Sequence, residues 1–281
     1  MKKSVGTEDH PPKIILMSGT PGTGKTSITT QLANKFNWIM FNLGDFIISN
    51  NLYINEDKSR NTKIIDVEKA SIYGALEVFK KIHELKDGST SIQKNTPIIV
   101  DSHYADIIID GMDLLNEKLD EMEPQYKNFI DKKTISQMFQ DYTNKPLIYG
   151  IILRCDPKIL MNRLKVRGYS SEKINENVQA EILNEATQNM LEVLDNKYIF
   201  EFDTTNATIE QVSDKIENLF HLGIEKISEF KIGKINWMRM LSEEDTLDSY
   251  FKDDLGVKHK LKYNENTDNF DQNDIQDDSE E

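Results

Sequence analysis

A short glycine-rich stretch near the amino terminus constrains this chain more than any other feature. Residues 19–26 read Gly-Thr-Pro-Gly-Thr-Gly-Lys-Thr and match the pattern G-x-x-x-x-G-K-[ST] without a mismatch. The glycines let the backbone bend until successive N–H groups face one point, which makes a nest for an anion. In this pattern Lys25 supplies positive charge to the β- and γ-phosphates, and Thr26 supplies a hydroxyl for Mg²⁺. The stretch therefore predicts a phosphate-binding loop.

The residues on both sides give the loop the context that the pattern requires. Residues 13–18 are a short apolar run with β-branched members, as is typical of a buried strand. After the loop, Ile28, Leu32 and Phe36 recur at helical spacing. A helix that begins there aims its positive end at a bound anion. The alternative, a glycine-rich turn with chance matches, is disfavoured by this strand–loop–helix order.

Strand-like and helix-like segments alternate from residue 13 to residue 222. The predicted strands are residues 13–18, 38–41, 97–100, 147–153 and 198–202. The predicted helices are residues 26–36, 64–85, 158–166, 176–194 and 208–221, with a start of helix after Gly44 and Asp45 and a polar loop at 50–63. This alternation predicts an α/β fold of the P-loop NTPase type, with a five-stranded, parallel, doubly wound sheet.

A second chemical signal follows the third predicted strand. The run Ile98-Ile-Val ends at Asp101, and His103 lies two residues further on. An acid at the carboxyl end of such a strand can hold Mg²⁺ or its waters beside the phosphate-binding loop. Many strands end in Asp simply because a turn begins, but the loop upstream favours a functional Asp101. His103 could orient a water or a phosphate, or bond a neighbouring loop.

A group of basic residues suggests a lid over the phosphates. Its members are Arg154, Arg163, Lys165 and Arg167. Arg163 and Arg167 are four residues apart and share a helix face, and Gly168 then frees the chain to move. Mobile arginines that close on a transferring phosphoryl group stabilise its charge and exclude water. A solvated basic helix face is the ordinary alternative.

Composition narrows the class of protein. The net charge of −14 argues against non-specific binding to nucleic acid. A lone cysteine, Cys155, rules out an intrachain disulfide and fits a reducing compartment. No apolar run approaches membrane-spanning length, and residues 1–12 do not resemble a signal peptide. We expect a cytoplasmic enzyme with no membrane partner.

The ends of the chain differ from its body. Residues 1–12 are expected to be flexible, and residues 223–262 form an extension after the predicted kinase-sized domain at 13–222. Residues 263–281 hold eight acids and no base, with too few apolar residues to offset chain entropy. This tail is expected to be disordered, and it is either a solvating segment or an acidic docking tail for a basic partner.

Four blocks taken together resemble one known family, adenylate kinase isoenzyme 6, which includes archaeal adenylate kinases and a nuclear eukaryotic protein. The blocks are the loop at 19–26, Asn42-Leu-Gly-Asp45, Asp101-Ser-His103, and Arg163–Ser170 followed by Lys173–Ile182. The resemblance covers about residues 13 to 222 with one large gap. It implies a broad-specificity nucleoside monophosphate kinase with ATPase activity. It also implies a role in ribosome biogenesis and rRNA processing, through a platform protein of the small subunit and pre-ribosomal particles.

The resemblance also implies roles for individual residues. ATP binding would fall to Gly22, Thr23, Gly24, Lys25, Thr26, Ser27 and Arg167. Catalysis would involve Lys25, Asp101, His103, Arg163 and Arg167, with Thr26 and Asp101 as the Mg²⁺ ligands. The monophosphate would bind in a segment at about 42–65 that includes Gly44 and Asp45, and the lid would span about 166–176.

Two departures from the family leave the function partly open. About forty residues, 106–146, stand where the family has a short connection, and Met112, Leu115, Leu119 and Met122 indicate an amphipathic helix there. This insertion could cover the monophosphate site or carry a partner surface. The extension after His221 is the second departure. An ATP-driven assembly switch with incidental kinase activity, or a kinase of another small metabolite, remains an alternative to a monophosphate kinase.

Overall fold

The computed structural model of the chain describes residues 11–57, 62–88, 92–144, 146–222 and 228–251. Its strands are β1 (Ile14–Ser18), β2 (Ile39–Asn42), β3 (Tyr53–Asp57), β4 (Thr62–Ile65), β5 (Ile98–Asp101), β6 (Ile148–Arg154) and β7 (Ile199–Asp203). Five of them form a parallel sheet in the order β2-β5-β1-β6-β7. The predicted α/β class and five-stranded parallel sheet are confirmed.

Helices cover both faces of this sheet. They are α1 (Lys25–Phe36), α2 (Leu43–Ser49), α3 (Val67–Asp87), α4 (Ile107–Glu117), α5 (Glu123–Tyr126), α6 (Lys132–Asn144), α7 (Pro157–Val166), α8 (Ser171–Ile182), α9 (Glu185–Val193), α10 (Ile209–Leu222) and α11 (Trp237–Glu243). Side chains of β1 alternate between the two faces: Ile14 and Leu16 join one apolar cluster, and Ile15 and Met17 join the other. A strand buried on both faces must be apolar throughout, which explains the continuous run at 13–18.

The register of the strands brings the predicted chemical residues to one edge. Asp101, the last residue of β5, is opposite Met17 of β1 on one side and Asn42 of β2 on the other. The glycine-rich loop follows β1 directly, and α2 follows β2 directly. Loops at the carboxyl ends of parallel strands are where ligands bind in open α/β sheets.

Two predicted elements were wrong in detail. The polar segment 50–63 contains an antiparallel hairpin of β3 and β4 rather than a plain loop, and the following helix starts at Val67, capped by the side chain of Asp66. The single helix predicted at 176–194 is broken. Asn184 adopts a left-handed conformation with a φ of 60°, which ends α8 and starts α9.

The insertion predicted at 106–146 folds as α4, α5 and α6. Helix α4 packs closely on α3, since a Cβ at Gly111 would lie 2.0 Å from the carbonyl oxygen of Ser71. Met112, Leu115, Leu119 and Met122 are buried, as the amphipathic spacing predicts. The Tyr142 hydroxyl donates a hydrogen bond of 2.6 Å to the carbonyl of Pro12 and ties α6 to the start of the domain.

The described part of the extension, residues 228–251, folds back onto the domain. Met238, Leu241 and Leu247 share an apolar cluster with α7 and α8. An ion pair of 2.8 Å joins Lys158 to Glu244. The flexible segment predicted at 1–12 lies outside the described residues except for Pro11 and Pro12, and the acidic tail 263–281 lies outside them entirely. Among the described helices, none is long and apolar enough to cross a membrane.

Candidate active site

The glycine-rich loop has a backbone that favours glycine at three of its positions, Gly19, Gly22 and Gly24, and side-chain space is missing at the first two. Gly19 has a φ of +134°, and a Cβ there would lie 2.4 Å from the carbonyl oxygen of Leu153. Gly22 has a φ of +97°, and its Cβ would meet Leu160 at 2.8 Å. Helix α1 then begins with no acid in its first turn, so its positive end is unopposed. The loop and the helix start together have the backbone that the predicted phosphate-binding site requires.

Lys25 rests against the loop that precedes it. Its Nζ donates to the carbonyl of Gly19 and, over 3.1 Å, to that of Thr20. The pKa of Lys25 is lowered to about 8, chiefly by burial and to a smaller extent by the charge of Arg167, while the charges of Asp101 and Glu181 oppose the shift. A buried ammonium that is held only by carbonyl groups gains from an anion placed beside it.

Asp101 lies beside the start of α1 and is 3% exposed. Its carboxylate accepts a hydrogen bond of 3.3 Å from the hydroxyl of Thr29, and the nearby hydroxyl of Thr26 lowers its pKa. Burial is the largest effect on its pKa and raises it, against the opposing effects of Thr26 and Lys25. The fold thus places the two predicted Mg²⁺ ligands, the Thr26 hydroxyl and the Asp101 carboxylate, close to one another.

His103 is on the turn that follows β5. Its carbonyl accepts a hydrogen bond of 3.2 Å from the hydroxyl of Ser18, at the end of β1, and its ring lies 3.8 Å from that of Tyr104, centroid to centroid. Loss of solvent around the ring lowers the pKa of His103, and the charges of Lys25 and Lys173 lower it further. The imidazole is therefore neutral near pH 7 and can accept or donate one hydrogen bond.

The predicted pair of arginines divides into two environments. Arg163 points its guanidinium at the loop after β7, where Nη2 donates to the carbonyls of Thr204 at 2.7 Å and Thr205 at 3.1 Å. Arg167 is exposed at the end of α7, close enough to Lys25 for its charge to lower the pKa of that lysine. Arg154, which the sequence grouped with them, is instead buried among carboxylates.

A cleft of about 190 Å³ continues from the loop past both arginines. On the far side it is lined by residues of the segment between β7 and α10: Thr204, Ala207, Thr208, Ile209 and Val212. Sequence reasoning missed these residues as a possible wall for a nucleotide base. The only signal there was the capping box, in which the Thr208 hydroxyl accepts from the Gln211 amide over 3.2 Å.

Gly44 and Asp45 lie in the first turn of α2, which begins at the carboxyl end of β2. The Asn42 side chain caps this helix by accepting from the Asp45 amide over 3.0 Å. The charge of Asp45 contributes to the raised pKa of Asp101, so the two acids face the same space. Gly44 has no left-handed conformation that would require glycine.

Comparison with known proteins agrees with this geometry. A family model described as an AAA domain matches residues 15–184. A protein of Methanosarcina barkeri, named "putative adenylate kinase", is 31% identical over 232 residues, which cover 81% of this chain and 99% of the relative. A protein of the same name from Thermococcus kodakarensis is 27% identical and covers 82% of this chain and 96% of its own length. The chain belongs to the archaeal adenylate kinase family.

Family membership confirms the resemblance seen in the sequence, and with it an enzyme of the phosphotransferase class that uses ATP. Among solved structures, thymidylate kinase from Candida albicans is 19% identical with a TM-score of 0.40, and the match covers 75% of this chain and 92% of the other. A score of that size informs neither the substrate nor the partner.

Lys173 is the residue that sequence reasoning left without a role. It lies in the first turn of α8, after the glycine break of the predicted lid, and its charge reaches His103. Its Nζ also lies 5.1 Å from the centre of the Tyr169 ring. A lysine near the start of a helix is too common in sequences for Lys173 to be singled out. Only the fold, which returns the start of α8 to the edge of the sheet, brings it to the site.

Proposed function

We propose that this chain transfers the γ-phosphoryl group of ATP to a nucleoside monophosphate, with ATP + AMP = 2 ADP as the reference reaction. The single observation that supports this most is the meeting of Lys25, Thr26 and Asp101 between β1 and β5. This arrangement places three things within about one helical turn: backbone N–H groups that can bind phosphate, the positive charge of Lys25, and oxygen ligands suited to Mg²⁺. Phosphoryl transfer depends on such positioning and charge stabilisation rather than on covalent chemistry.

The residues present fit Mg²⁺. Thr26 and Asp101 offer oxygen donors near enough for the Thr26 hydroxyl to affect the pKa of Asp101, and Mg²⁺ prefers a few protein oxygens together with substrate phosphates. No cluster of three or more acidic, histidine or cysteine ligands occurs among the described residues, so an all-protein metal cage is not the design there. Bound Mg²⁺ would neutralise charge on the β- and γ-phosphates. We assign Thr26 and Asp101 as its protein ligands.

The positive groups around the loop have separable tasks in this proposal. Lys25 leaves the carbonyls of Gly19 and Thr20 to bind the β- and γ-phosphates. Arg167, exposed beside the cleft, closes on the transferring group, while Arg163 holds the cleft wall at Thr204. His103, neutral and beside the charges of Lys25 and Lys173, orients the attacking oxygen or the γ-phosphate.

The monophosphate is assigned to the segment at about 42–65, formed by α2 and the hairpin. Gly44 and Asp45 begin this segment at the sheet edge beside Asp101. The lid is assigned to about 166–176, where Gly168 has a φ of +75° and a substituent there would meet nothing within 4 Å. An open turn of this kind leaves Arg167 free to move toward the phosphates.

A second activity, ATP hydrolysis coupled to small-subunit maturation in the cytoplasm, is supported by the surface of the insertion. Asp106 immediately precedes α4, and Asp110 and Asp113 lie on it; burial and then repulsion from neighbouring acids raise the pKa of each. An acidic helix face of this kind suits a basic protein, such as a platform protein of the small subunit. In this scheme pre-ribosomal particles would be the target.

A panel of acceptors tests the proposal. Purified full-length protein is given Mg·ATP with AMP, CMP, GMP, UMP, dTMP or shikimate, and ADP is measured against consumed acceptor. The expected result is stoichiometric phosphorylation of at least one monophosphate, far above hydrolysis alone. Phosphorylation of shikimate only would make the chain a metabolite kinase. Hydrolysis with no acceptor, accelerated by a basic ribosomal protein, would favour the assembly switch instead.

A further inference from the structure

A buried hydrogen-bond network links the phosphate-binding loop to the carboxyl-terminal segment. At its centre is Glu181 of α8, whose side chain is 1% exposed. Its Oε2 accepts from the Thr20 hydroxyl of the loop over 2.6 Å. Its Oε1 accepts from the indole N–H of Trp237 in α11 over 2.9 Å, and also from Arg154 and the amide of Cys155. This carboxylate therefore joins three parts of the fold: the loop, the end of β6 and α11.

The buried charges of the network do not sum to zero, because its carboxylates outnumber its cations. The Arg154 guanidinium donates to both Glu181, over 2.8 Å, and Glu201, over 2.6 Å. One buried cation thus faces two buried carboxylates. The Thr187 hydroxyl donates to the same Glu201 oxygen as Arg154, and the amide of Gly233 donates to the other oxygen. The nearby positive charge is Lys25, whose pKa is raised by Glu181 against the effect of burial. The network and the loop lysine are coupled electrically as well as by hydrogen bonds.

Thr20 is one of the two loop residues whose carbonyls receive Lys25. Its carbonyl accepts from Lys25 Nζ over 3.1 Å and from the Thr23 hydroxyl over 2.9 Å. Its hydroxyl makes the bond to Glu181, and the residue is 5% exposed. Fixing the side chain of Thr20 therefore fixes the carbonyl that receives Lys25. Buried networks of this kind hold one geometry when every member is satisfied.

The far end of the network belongs to a segment outside the matched family domain, which ends at residue 184. Trp237 is 8% exposed, and Met238 and Leu241 beside it pack on α7 and α8. The side chain of Gln179 in α8 also donates to the carbonyl of Tyr250 over 2.7 Å. The segment therefore holds the carboxyl-terminal half of α8, whose first turn contains Lys173 of the site.

We propose that Glu181 is a positioning residue for the phosphate-binding loop, and that residues 228–251 act on nucleotide binding through Trp237 and Glu181. The inference rests on the proposed function only in that the loop binds ATP. It is independent of which acceptor receives the phosphoryl group. It gives the carboxyl-terminal segment a role in affinity for ATP although the described part of the segment does not line the cleft.

The test separates the hydroxyl of Thr20 from its bulk. Thr20→Val removes the donor to Glu181 and keeps the shape, whereas Thr20→Ser keeps the donor. The dissociation constant of Mg·ATP, measured by calorimetry without any acceptor, is expected to rise roughly tenfold in Thr20→Val, since a neutral-to-charged hydrogen bond is lost. Thr20→Ser should remain within twofold. Thr30→Val is the matched control, because its hydroxyl bonds to the Thr26 carbonyl on the exposed side of α1.

Trp237→Phe tests the far end of the network. It removes the indole N–H and keeps an aromatic ring, and we expect a rise of a few-fold in the same constant. The double variant Thr20→Val, Trp237→Phe should be less than multiplicative, because both changes act through one carboxylate. Trp38→Phe is the control for loss of the other tryptophan, which packs on Phe220. The turnover number at saturating ATP should change less than the affinity in every variant.

Three results would overturn the inference. The first is a Thr20→Val variant with unchanged ATP affinity, and the second is a Thr20→Ser variant as weak as Thr20→Val. The third is a Trp237→Phe effect that multiplies independently with that of Thr20→Val. If Thr20→Val does not fold, the Trp237→Phe affinity alone decides, with an unchanged value as the negative outcome. Since ATP affinity is measured without an acceptor, a failed acceptor panel leaves this test intact.

Discussion

The phosphate-binding loop and the hairpin of β3 and β4 both follow strands that end at the same edge of the sheet. The two regions differ in how far their side chains are buried and hydrogen-bonded by the rest of the chain. The side chains of the loop are already buried and hydrogen-bonded by other residues of the chain: Thr20 is 5% exposed and Thr23 is 1% exposed. The hairpin keeps apolar side chains in solvent, with Ile54 69% and Ile64 45% exposed. A lysine–aromatic contact of 3.9 Å, between Lys63 and Tyr53, joins its strands besides the backbone pairing.

The difference shows how each region obtains its stability. A nest for phosphate must exist before the ligand arrives, because its charge stabilisation depends on fixed dipoles. An exposed apolar hairpin gains free energy only when something covers it, at about 25 cal/mol per Å² of apolar surface. We infer that the exposed apolar side chains of the hairpin are buried against the substrate or the lid. The buried residues of the loop, in contrast, keep their positions when the ligand binds.

The largest effect is expected from Lys25→Met. This change removes the cation that we assign to the β- and γ-phosphates, so turnover should fall by about 100-fold or more. Circular dichroism should be unchanged, because Lys25 is not part of an apolar cluster. Steady-state kinetics with saturating ATP measures the loss.

Lys35→Met is the matched control for this variant. Lys35 lies in the same helix but pairs with Glu210 and Asp214 on the surface, so its loss should leave turnover intact. Near-wild-type turnover in Lys25→Met would show that the loop is only a structural turn. It would also remove the basis for treating the loop as the preformed half of the site.

The same contrast explains what could be predicted from sequence. The loop and the Asp101 strand end are local patterns, so eight consecutive residues and one apolar run were sufficient. The hairpin was missed because its strands are short and polar, with Asn55 and Glu56 where a buried strand would be apolar. The break at Asn184 was hidden because the apolar stripe continues through it.

Long-range contacts set a different limit. Arg154 was grouped with the lid arginines because they are close in sequence, yet it is buried against Glu181 and Glu201, which lie 27 and 47 residues away. The cleft wall after β7 and the role of Trp237 depend in the same way on how the chain returns to the sheet. Periodicity identifies which face of an element is apolar, but not which polar group it will meet.

A smaller effect is expected from changes in the hairpin. Ile54→Thr combined with Ile64→Thr removes exposed apolar surface and keeps the β-branched character that strands favour. The free energy of unfolding should change by less than about 0.5 kcal/mol, as for other surface positions. If the hairpin closes on the monophosphate, the KM for AMP should rise roughly tenfold, as the loss of about 1.4 kcal/mol would give, while the KM for ATP should not change.

Ile92→Thr is the matched control for the hairpin. Ile92 is 39% exposed and precedes the amino-terminal end of β5, at the opposite edge of the sheet. Its substitution should affect neither constant. An equal rise in both KM values for the hairpin variant would mean that the hairpin acts on the whole cleft. No rise in either would mean that something other than a substrate covers its apolar surface.

The smallest effect concerns the cost of holding Lys25 in the empty loop. Burial lowers the pKa of Lys25 from 10.5 to about 8, so the unfolded chain holds this proton over a pH range in which the folded chain has released it. Stability of the wild type must therefore rise between about pH 8 and pH 10.5 relative to Lys25→Met. At 1.36 kcal/mol per pKa unit, a pKa lowered from 10.5 to about 8 corresponds to about 3.4 kcal/mol. Because part of the Lys25 side chain stays exposed to solvent, we expect a relative gain of only about 1 kcal/mol. Urea titrations of nucleotide-free, metal-free protein at pH 7.5 and pH 10 measure this gain in stability.

Lys35→Met should show no such trend, since hydrogen bonding to Asp214 raises the pKa of Lys35 and any linked loss of stability lies above this pH window. A flat difference for Lys25→Met as well would mean that the loop does not bury its ammonium, and that the two regions differ less than their packing indicates.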